Sequence, residues 1–115
     1  MSRSPQEVFQ HHGQALGAED LDEIVADYSD DAVFITKDGV QRGKDGVRQA
    51  FADLLGEIPQ AAWEIKSAVF EGDHMLLHWA ADSAAARVDD GVDTFMFRDG
   101  QIIMQTVNAT VTPKG

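Results

Sequence analysis

Apolar residues recur at helical spacing in three segments of the first half of the chain, which predicts three amphipathic helices. The first helix is expected to begin at a capping box over Ser4–Glu7, with proline at its first position, and to end near Gly17. The second carries a buried stripe from Leu21 to Tyr28. The third is expected from about Lys44 to Leu55, where Gly56 and Pro59 follow and end it.

Alternating, β-branched and aromatic residues predict strands in the rest of the chain. One short strand, Ala32–Thr36, is expected between the second and third helices, and from Ala62 onward only strands are predicted. These later strands cover residues 62–70, 74–87, 92–97 and 101–111. Their connecting turns are Glu71-Gly72-Asp73, Asp89-Asp90-Gly91 and Arg98-Asp99-Gly100. The order α-α-β-α-β-β-β-β predicts an α+β fold with helices packed on a mainly antiparallel sheet.

Both faces of this sheet are rich in apolar residues. On the long strand, one face carries Met75, Leu77 and Trp79, and the opposite face carries His74, Leu76 and His78. The first set extends onto neighbouring strands through Met96, Ile102 and Met104. If the first set were exposed, it would form an apolar patch of the kind that marks an interface, so a homodimer through this sheet face is expected. In the alternative, the first set faces the core.

The composition narrows the functional class. A chain of 115 residues suits one domain, residues 1–115, and its net charge of −11 disfavours binding to nucleic acid or to an anionic membrane. The absence of cysteine excludes disulfides and thiol chemistry. Residues 1–7 contain no apolar segment typical of a signal peptide, and no apolar run is long enough to cross a bilayer, so a cytoplasmic location is expected.

Two polar residues interrupt apolar patterns. His12 lies within the stripe of the first helix, between Val8 and Ala15, where an unpaired polar group would cost about 1–3 kcal/mol. It is either a core histidine with a backbone partner or a residue that lines a pocket. Asp93 shares strand parity with Phe95 and Phe97, so burial among aromatic rings is expected to raise its pKa and let it stay protonated as a hydrogen-bond donor. In the alternative, Asp93 is exposed at a frayed strand end.

Other candidate residues carry weaker signals. His78 and Asp82 share one face of the long strand but lie roughly 13 Å apart, and Gln105 is a further candidate pocket residue. Each of these three could equally lie at the surface. The histidines show no metal-site spacing, and neither a P-loop nor a G-x-S-x-G motif is present, so no metal and no cofactor is expected.

The chain resembles the ketosteroid isomerase and SnoaL-like family of the nuclear-transport-factor-2-like superfamily over nearly its whole length. The resemblance rests on three stretches, which are residues 18–34, residues 43–51 and residues 93–103. It implies a cone-shaped α+β barrel, usually dimeric, with a pocket for a small apolar organic ligand inside the cone. The superfamily includes isomerases, cyclases, dehydratases, epoxide hydrolases and non-enzymes, so the resemblance indicates the fold better than the chemistry.

The resemblance also implies roles for single residues. Asp93 matches the aspartate that helps to bind the oxyanion in ketosteroid isomerases, and His12 matches its partner tyrosine. The general base of those enzymes falls at Thr36, which cannot abstract a proton, and Asp38 lies in the turn two residues later. His78 or Asp82 could then act from the opposite wall.

The sequence therefore predicts a cofactor-independent isomerase, cyclase or dehydratase, with a non-catalytic ligand-binding or assembly module as the alternative. The predicted catalytic residues are Asp93, His12 and His78. The predicted pocket residues are Tyr28, Phe34, Thr36, Phe51, Trp63, Asp82, Phe95, Gln105 and Val107.

Overall fold

The structure is a computed structural model that describes residues 3–115, so Met1 and Ser2 of the opening segment lie outside it. The helices are α1 (Pro5–Gly17), α2 (Leu21–Ala26) and α3 (Gly43–Glu57). The strands are β1 (Tyr28–Thr36), β2 (Gly39–Arg42), β3 (Ala62–Glu71), β4 (His74–Asp82), β5 (Ala86–Arg98), β6 (Gln101–Asn108) and β7 (Thr112–Pro113). No helix among these residues is long and apolar enough to cross a membrane.

The predicted α+β architecture is confirmed. The strands form one curved mixed sheet in the order β2-β1-β6-β5-β4-β3, and β7 pairs with β5 outside this path. β1 and β6 run parallel, while the other neighbours are antiparallel. The sheet does not close into a barrel. Among residues 3–115, the helices pack on the inner face of the sheet and no helix covers its outer face.

Local signals in the sequence place several element ends correctly. The capping box is present, because the Ser4 hydroxyl accepts a hydrogen bond from the Glu7 amide and the Ser4 amide donates to the Glu7 carboxylate. The predicted turns at Gly72 and Gly100 are confirmed, and both glycines have positive φ. Tyr28, predicted as the last residue of the second helical stripe, instead begins β1 after the helix ends at Ala26.

The predicted turn at Asp89-Asp90-Gly91 is wrong. The β4–β5 turn instead lies at Ser83–Ala85, where the Ser83 hydroxyl accepts hydrogen bonds from the amides of Ala85 and Ala86. β5 continues through Asp89 and Asp90 as a bulge, because these two residues oppose the single residue Ala80. The strand β2 was not predicted.

The inner face of the sheet carries only part of the set that the sequence pattern assigned to an exposed patch. Met75, Leu77 and Trp79 are all buried, so the expectation that they form an exposed dimer face is wrong. Met96 and Met104 are partly exposed on the outer face, where Met96 pairs with both His74 and Met104. The alternative assignment of this strand parity to the core is the correct one.

Candidate active site

A cavity of about 880 Å³ lies between α1, α3 and the inner face of the sheet. Its interior is mostly aromatic and aliphatic. The lining rings belong to Phe9, Phe34, Phe51, Trp63 and Trp79. A cavity of this size, walled by apolar groups with a few polar ones, is typical of a small-molecule site.

Asp93 supplies a carboxylate to this cavity from β5. It is only 5% exposed, and both of its oxygens accept hydrogen bonds from neutral donors. Trp79 Nε1 donates to Oδ1 at 2.9 Å, and Gln105 Nε2 donates to Oδ2 at 3.0 Å. Trp79 lies in β4 and Gln105 in β6, the two strands that flank β5. The pairing of these three strands therefore places both donors beside the carboxylate.

Tyr28 orients the amide that bonds to Asp93. Its hydroxyl donates a hydrogen bond to Gln105 Oε1, which leaves the amide nitrogen to face Asp93. Burial, followed by the nearby carboxylates of Asp93 and Asp27, raises the pKa of Tyr28 well above its usual value. Tyr28 therefore remains protonated and acts as a donor. In this hydrogen-bonded series, Tyr28 donates to Gln105 and Gln105 donates to Asp93.

Desolvation by burial raises the pKa of Asp93 to about 6, even though its hydrogen bonds from Trp79 and Gln105 act in the opposite direction. The pKa of Asp93 is therefore shifted upward, as the sequence predicts. Because this pKa lies below neutrality and both oxygens already accept hydrogen bonds, the favoured form at pH 7 is the ionised acceptor. The prediction that Asp93 acts as a protonated donor is not supported by this geometry.

His12 projects into the same cavity from α1 and is 4% exposed. Its ring lies among three others, with centroids 6.0 Å from Tyr28, 5.6 Å from Phe51 and 5.7 Å from Phe95. Burial lowers the pKa of His12 to about 4, so the imidazole is neutral at pH 7. Its Nδ1 has no hydrogen-bond partner among the described residues, so the alternative of a core histidine satisfied through this atom by a backbone carbonyl does not hold.

Thr36 lines the cavity at the position implied for a general base, and its hydroxyl accepts a hydrogen bond from the Asp38 amide. The Asp38 side chain also lines the cavity but is exposed. Further exposed acids mark the cavity mouth, namely Asp53, Glu57 and Glu64. Among residues 3–115, Lys37 is the only lysine or arginine that lines the cavity.

His78 and Asp82 do not line the cavity. His78 belongs to the outward-facing parity of β4, and its Nδ1 lies 3.2 Å from the Ser67 hydroxyl. Asp82 is exposed and pairs with Lys114 at 2.5 Å. The expectation that either residue acts from the opposite wall is wrong, because the buried residues of β4 have the other parity.

The remaining predicted pocket residues divide into two groups. Six of them line the cavity, namely Phe34, Thr36, Phe51, Trp63, Gln105 and Val107. Tyr28 and Phe95 are buried but lie outside the lining set. Trp79 was not predicted as a site residue. The signal that could have identified it is its inward parity, which places it on the same face as Asp93 once the β4–β5 pairing is known.

A second polar cluster lies away from the cavity. The buried carboxylate of Asp27 accepts a hydrogen bond from Arg3 Nη1 at 2.9 Å and lies 2.7 Å from His11 Nδ1. The His11 side chain is 35% exposed and is paired with Asp27. In residues 3–115, no group of three or more histidine or acidic side chains is arranged to hold a metal ion.

A family model described as a SnoaL-like domain matches residues 9–104. No curated protein matches the chain in sequence. Among solved structures, an uncharacterized cystatin-fold protein from Novosphingobium aromaticivorans is 24% identical, with a TM-score of 0.78. The alignment covers 92% of this chain and 98% of that protein.

Two further solved structures share the fold at lower sequence identity. IdmH from Streptomyces antibioticus, a proposed polyketide cyclase, is 15% identical with a TM-score of 0.78, and the alignment covers 93% of this chain and 92% of IdmH. A proposed ketosteroid isomerase from Kribbella flavida is 12% identical with a TM-score of 0.77. In that case the alignment covers 96% of this chain and 81% of the other.

Proposed function

The chain belongs to the SnoaL-like domain family, and from that premise we propose that it binds a small apolar organic molecule and acts on it as a cofactor-independent acid–base enzyme of the isomerase or cyclase type. The observation that carries this proposal is the Asp93 carboxylate, which is held by two neutral donors at the wall of an aromatic cavity. Structural neighbours proposed to be a polyketide cyclase and a ketosteroid isomerase support the reaction class.

The proposed chemistry is a proton transfer at carbon. Asp93 accepts the proton from a C–H bond next to a ligand carbonyl, and the electron pair of that bond moves onto the carbonyl oxygen as an enolate. A neutral His12 donates a hydrogen bond to this oxygen, since an imidazole can serve as an electrophile without being charged. The protonated Asp93 then returns its proton to another carbon of the same ligand. Alternatively, the enolate carbon attacks a second carbonyl group of the ligand, and the oxygen of that group takes the proton back from Asp93.

The pKa of Asp93 suits the role of a base. A carboxylate in water, with a pKa near 4, is a weak base, whereas a value of about 6 places the group closer to the working pH while keeping it mainly ionised at neutrality. His12 remains neutral over the same range because its pKa is about 4.

The charges around the cavity restrict the ligand. Among the described residues, the cavity lining contains four acidic residues at the mouth and Asp93 inside. Lys37 is the only lysine or arginine in this lining. The resulting negative potential repels carboxylate and phosphate groups. The proposed ligand is therefore an uncharged carbonyl compound with a largely apolar body.

The test uses 2-tetralone, an apolar bicyclic ketone with acidic hydrogens beside its carbonyl. Incubation in D₂O, followed by proton NMR, measures exchange of those hydrogens for deuterium. We expect the protein to accelerate exchange and the variant Asp93→Asn to abolish the acceleration, because the amide cannot accept the proton. Asp82→Asn is the matched control, since Asp82 lies outside the cavity and should leave the rate unchanged.

The second candidate function is ligand binding without catalysis. Two observations favour it, because both oxygens of Asp93 are already hydrogen-bonded and Thr36 supplies no base. Binding of 2-tetralone without accelerated exchange would support this second function over the first. Acceleration that persists in Asp93→Asn would contradict the assigned role of Asp93.

We also propose that the chain forms a homodimer through the outer face of the sheet. Several exposed apolar side chains lie in one row across this face, because Val69 pairs with Leu76, Leu76 with Thr94, Thr94 with Thr106, and Thr106 with Ile35. Val69 is 61% exposed and Leu76 is 43% exposed. Burial of such a patch against a second copy would remove apolar surface from water.

A further inference from the structure

Gly91 lies directly opposite Trp79 in the β4–β5 pair, and the Trp79 indole rests against its backbone. A Cβ atom built on Gly91 would lie 2.3 Å from Trp79 Cε2 and 2.6 Å from Trp79 Nε1. Both distances are far shorter than a van der Waals contact. The site therefore has no room for any side chain at residue 91 while the indole keeps its place.

The need for glycine here is not conformational. Gly91 does not have the positive φ of Gly39, Gly43, Gly72 and Gly100, so no left-handed backbone requires glycine at this position. What glycine provides is the absence of Cβ, which allows close approach of another group.

The indole that lies on Gly91 is the one that reaches Asp93. Residues 91 and 93 are on the same face of β5, and Trp79 Nε1 donates to Asp93 Oδ1 at 2.9 Å. We infer that Gly91 is a positioning residue for Asp93, because the missing side chain lets the Trp79 indole lie across the strand and hydrogen-bond to the carboxylate. Gly91 itself does not line the cavity.

A side chain at residue 91 would force the indole toward the cavity. Trp63 already packs on Trp79 with ring centroids 5.6 Å apart, and both rings line the cavity wall. Displacement would break the hydrogen bond to Asp93 and reduce the space available to a ligand. Gly91 thus acts through Trp79 on both the charge state of the carboxylate and the shape of the site.

The test is a carbon NMR titration of the Asp93 carboxyl group in Gly91→Ala. Loss of the Trp79 hydrogen bond favours the protonated form, so we expect the pKa of Asp93 to rise above its wild-type value by about one to two units. Gly56→Ala adds the same methyl group in α3, where no atom lies within 4 Å, and should leave the titration unchanged.

A second background shows whether the effect passes through the indole. Trp79→Phe removes the N–H group but keeps an aromatic ring, and it should raise the pKa of Asp93 by a similar amount. In Trp79→Phe, the added change Gly91→Ala should produce no further rise. An equal rise in both backgrounds, or no rise in a folded Gly91→Ala protein, would overturn the inference.

If Gly91→Ala does not fold, the double variant decides the question. The double variant for this purpose carries Trp79→Val, which lacks every indole atom that would collide with the added Cβ. Recovery of folding by Trp79→Val supports the inference, while failure of both variants overturns it. The inference rests on the proposed function of Asp93, but different experiments test the inference and the function. The titration needs no ligand, whereas deuterium exchange into 2-tetralone tests the chemistry.

Discussion

The Tyr28 hydroxyl donates a hydrogen bond to Gln105 Oε1 across 77 positions of sequence, and the same amide donates to Asp93. Tyr28 belongs to β1 and Gln105 to β6, which run parallel and adjacent in the sheet. This bond decides which end of the amide faces the carboxylate. The ionised form of Asp93 therefore depends on a residue that does not line the cavity.

Replacement of Gln105 should affect both of its partners. Gln105→Leu removes a donor from Asp93 and leaves the buried Tyr28 hydroxyl unpaired, so we expect a higher pKa of Asp93 and a loss of about 1–3 kcal/mol in the free energy of unfolding. Tyr28→Phe is the comparison, because it should lower stability by about 1 kcal/mol with a smaller effect on Asp93. Urea denaturation and carbon NMR measure the two quantities. An unchanged pKa of Asp93 in Gln105→Leu would contradict the assigned hydrogen bond.

Removal of the His12 imidazole should protect the protein from acid. The pKa of His12 is lowered from 6.5 to about 4 on folding, so the unfolded chain binds more protons between these values and stability falls as the pH drops through them. His12→Phe lacks this loss. Between pH 7 and pH 4, its stability relative to wild type should increase by about 3 kcal/mol. Urea denaturation measures the difference in stability between His12→Phe and wild type. A difference that does not vary with pH would show that the imidazole lies in solvent.

Asp93 should produce the opposite dependence. Its pKa is raised from 3.8 to about 6 on folding, so the folded protein binds more protons between these values and its stability falls as the pH rises. Asp93→Asn cannot ionise, and its stability relative to wild type should rise by about 2 kcal/mol between pH 4 and pH 7. Because the terms from His12 and Asp93 oppose each other, the two single variants should change the pH dependence of stability in opposite directions relative to the wild-type protein. A difference in stability between Asp93→Asn and wild type that does not change with pH would show that the Asp93 side chain is solvated.

A charge on the outer sheet face should separate the proposed dimer. Leu76→Glu places a carboxylate in the middle of the exposed apolar row, where burial against a second copy would desolvate it. Light scattering coupled to gel filtration should give twice the chain mass for wild type and the chain mass for Leu76→Glu. Gln6→Glu, which adds the same charge on an exposed position of α1, should remain dimeric. A wild-type protein that elutes as a monomer would contradict this assembly.

The features that the sequence predicted well depend on residues close together in the chain. The capping box at Ser4 and the hairpins at Gly72 and Gly100 each involve a few neighbouring positions, so the pattern contains the whole determinant. The burial of His12 and Asp93 was predictable for the same reason, since each interrupts a local apolar repeat.

The incorrect predictions concern segments in which the local sequence pattern fits two different structures. Both faces of β4 are apolar, so alternation alone could not show that Trp79 points inward and His78 outward. The Asp90-Gly91 pair resembles a hairpin turn, but here the glycine accommodates an indole from the neighbouring strand. Such a contact depends on strand pairing, which the sequence pattern does not specify.

The burial of the Asp93 carboxyl group at the cavity wall underlies the proposed function, and the titration of this group tests that burial. Carbon NMR of protein labelled at aspartate carboxyl carbons would follow Asp93, identified by the signal absent from Asp93→Asn, across the acid to neutral range. We expect a pKa of about 6 for Asp93. A value near 3.8, as for an aspartate in water, would contradict it.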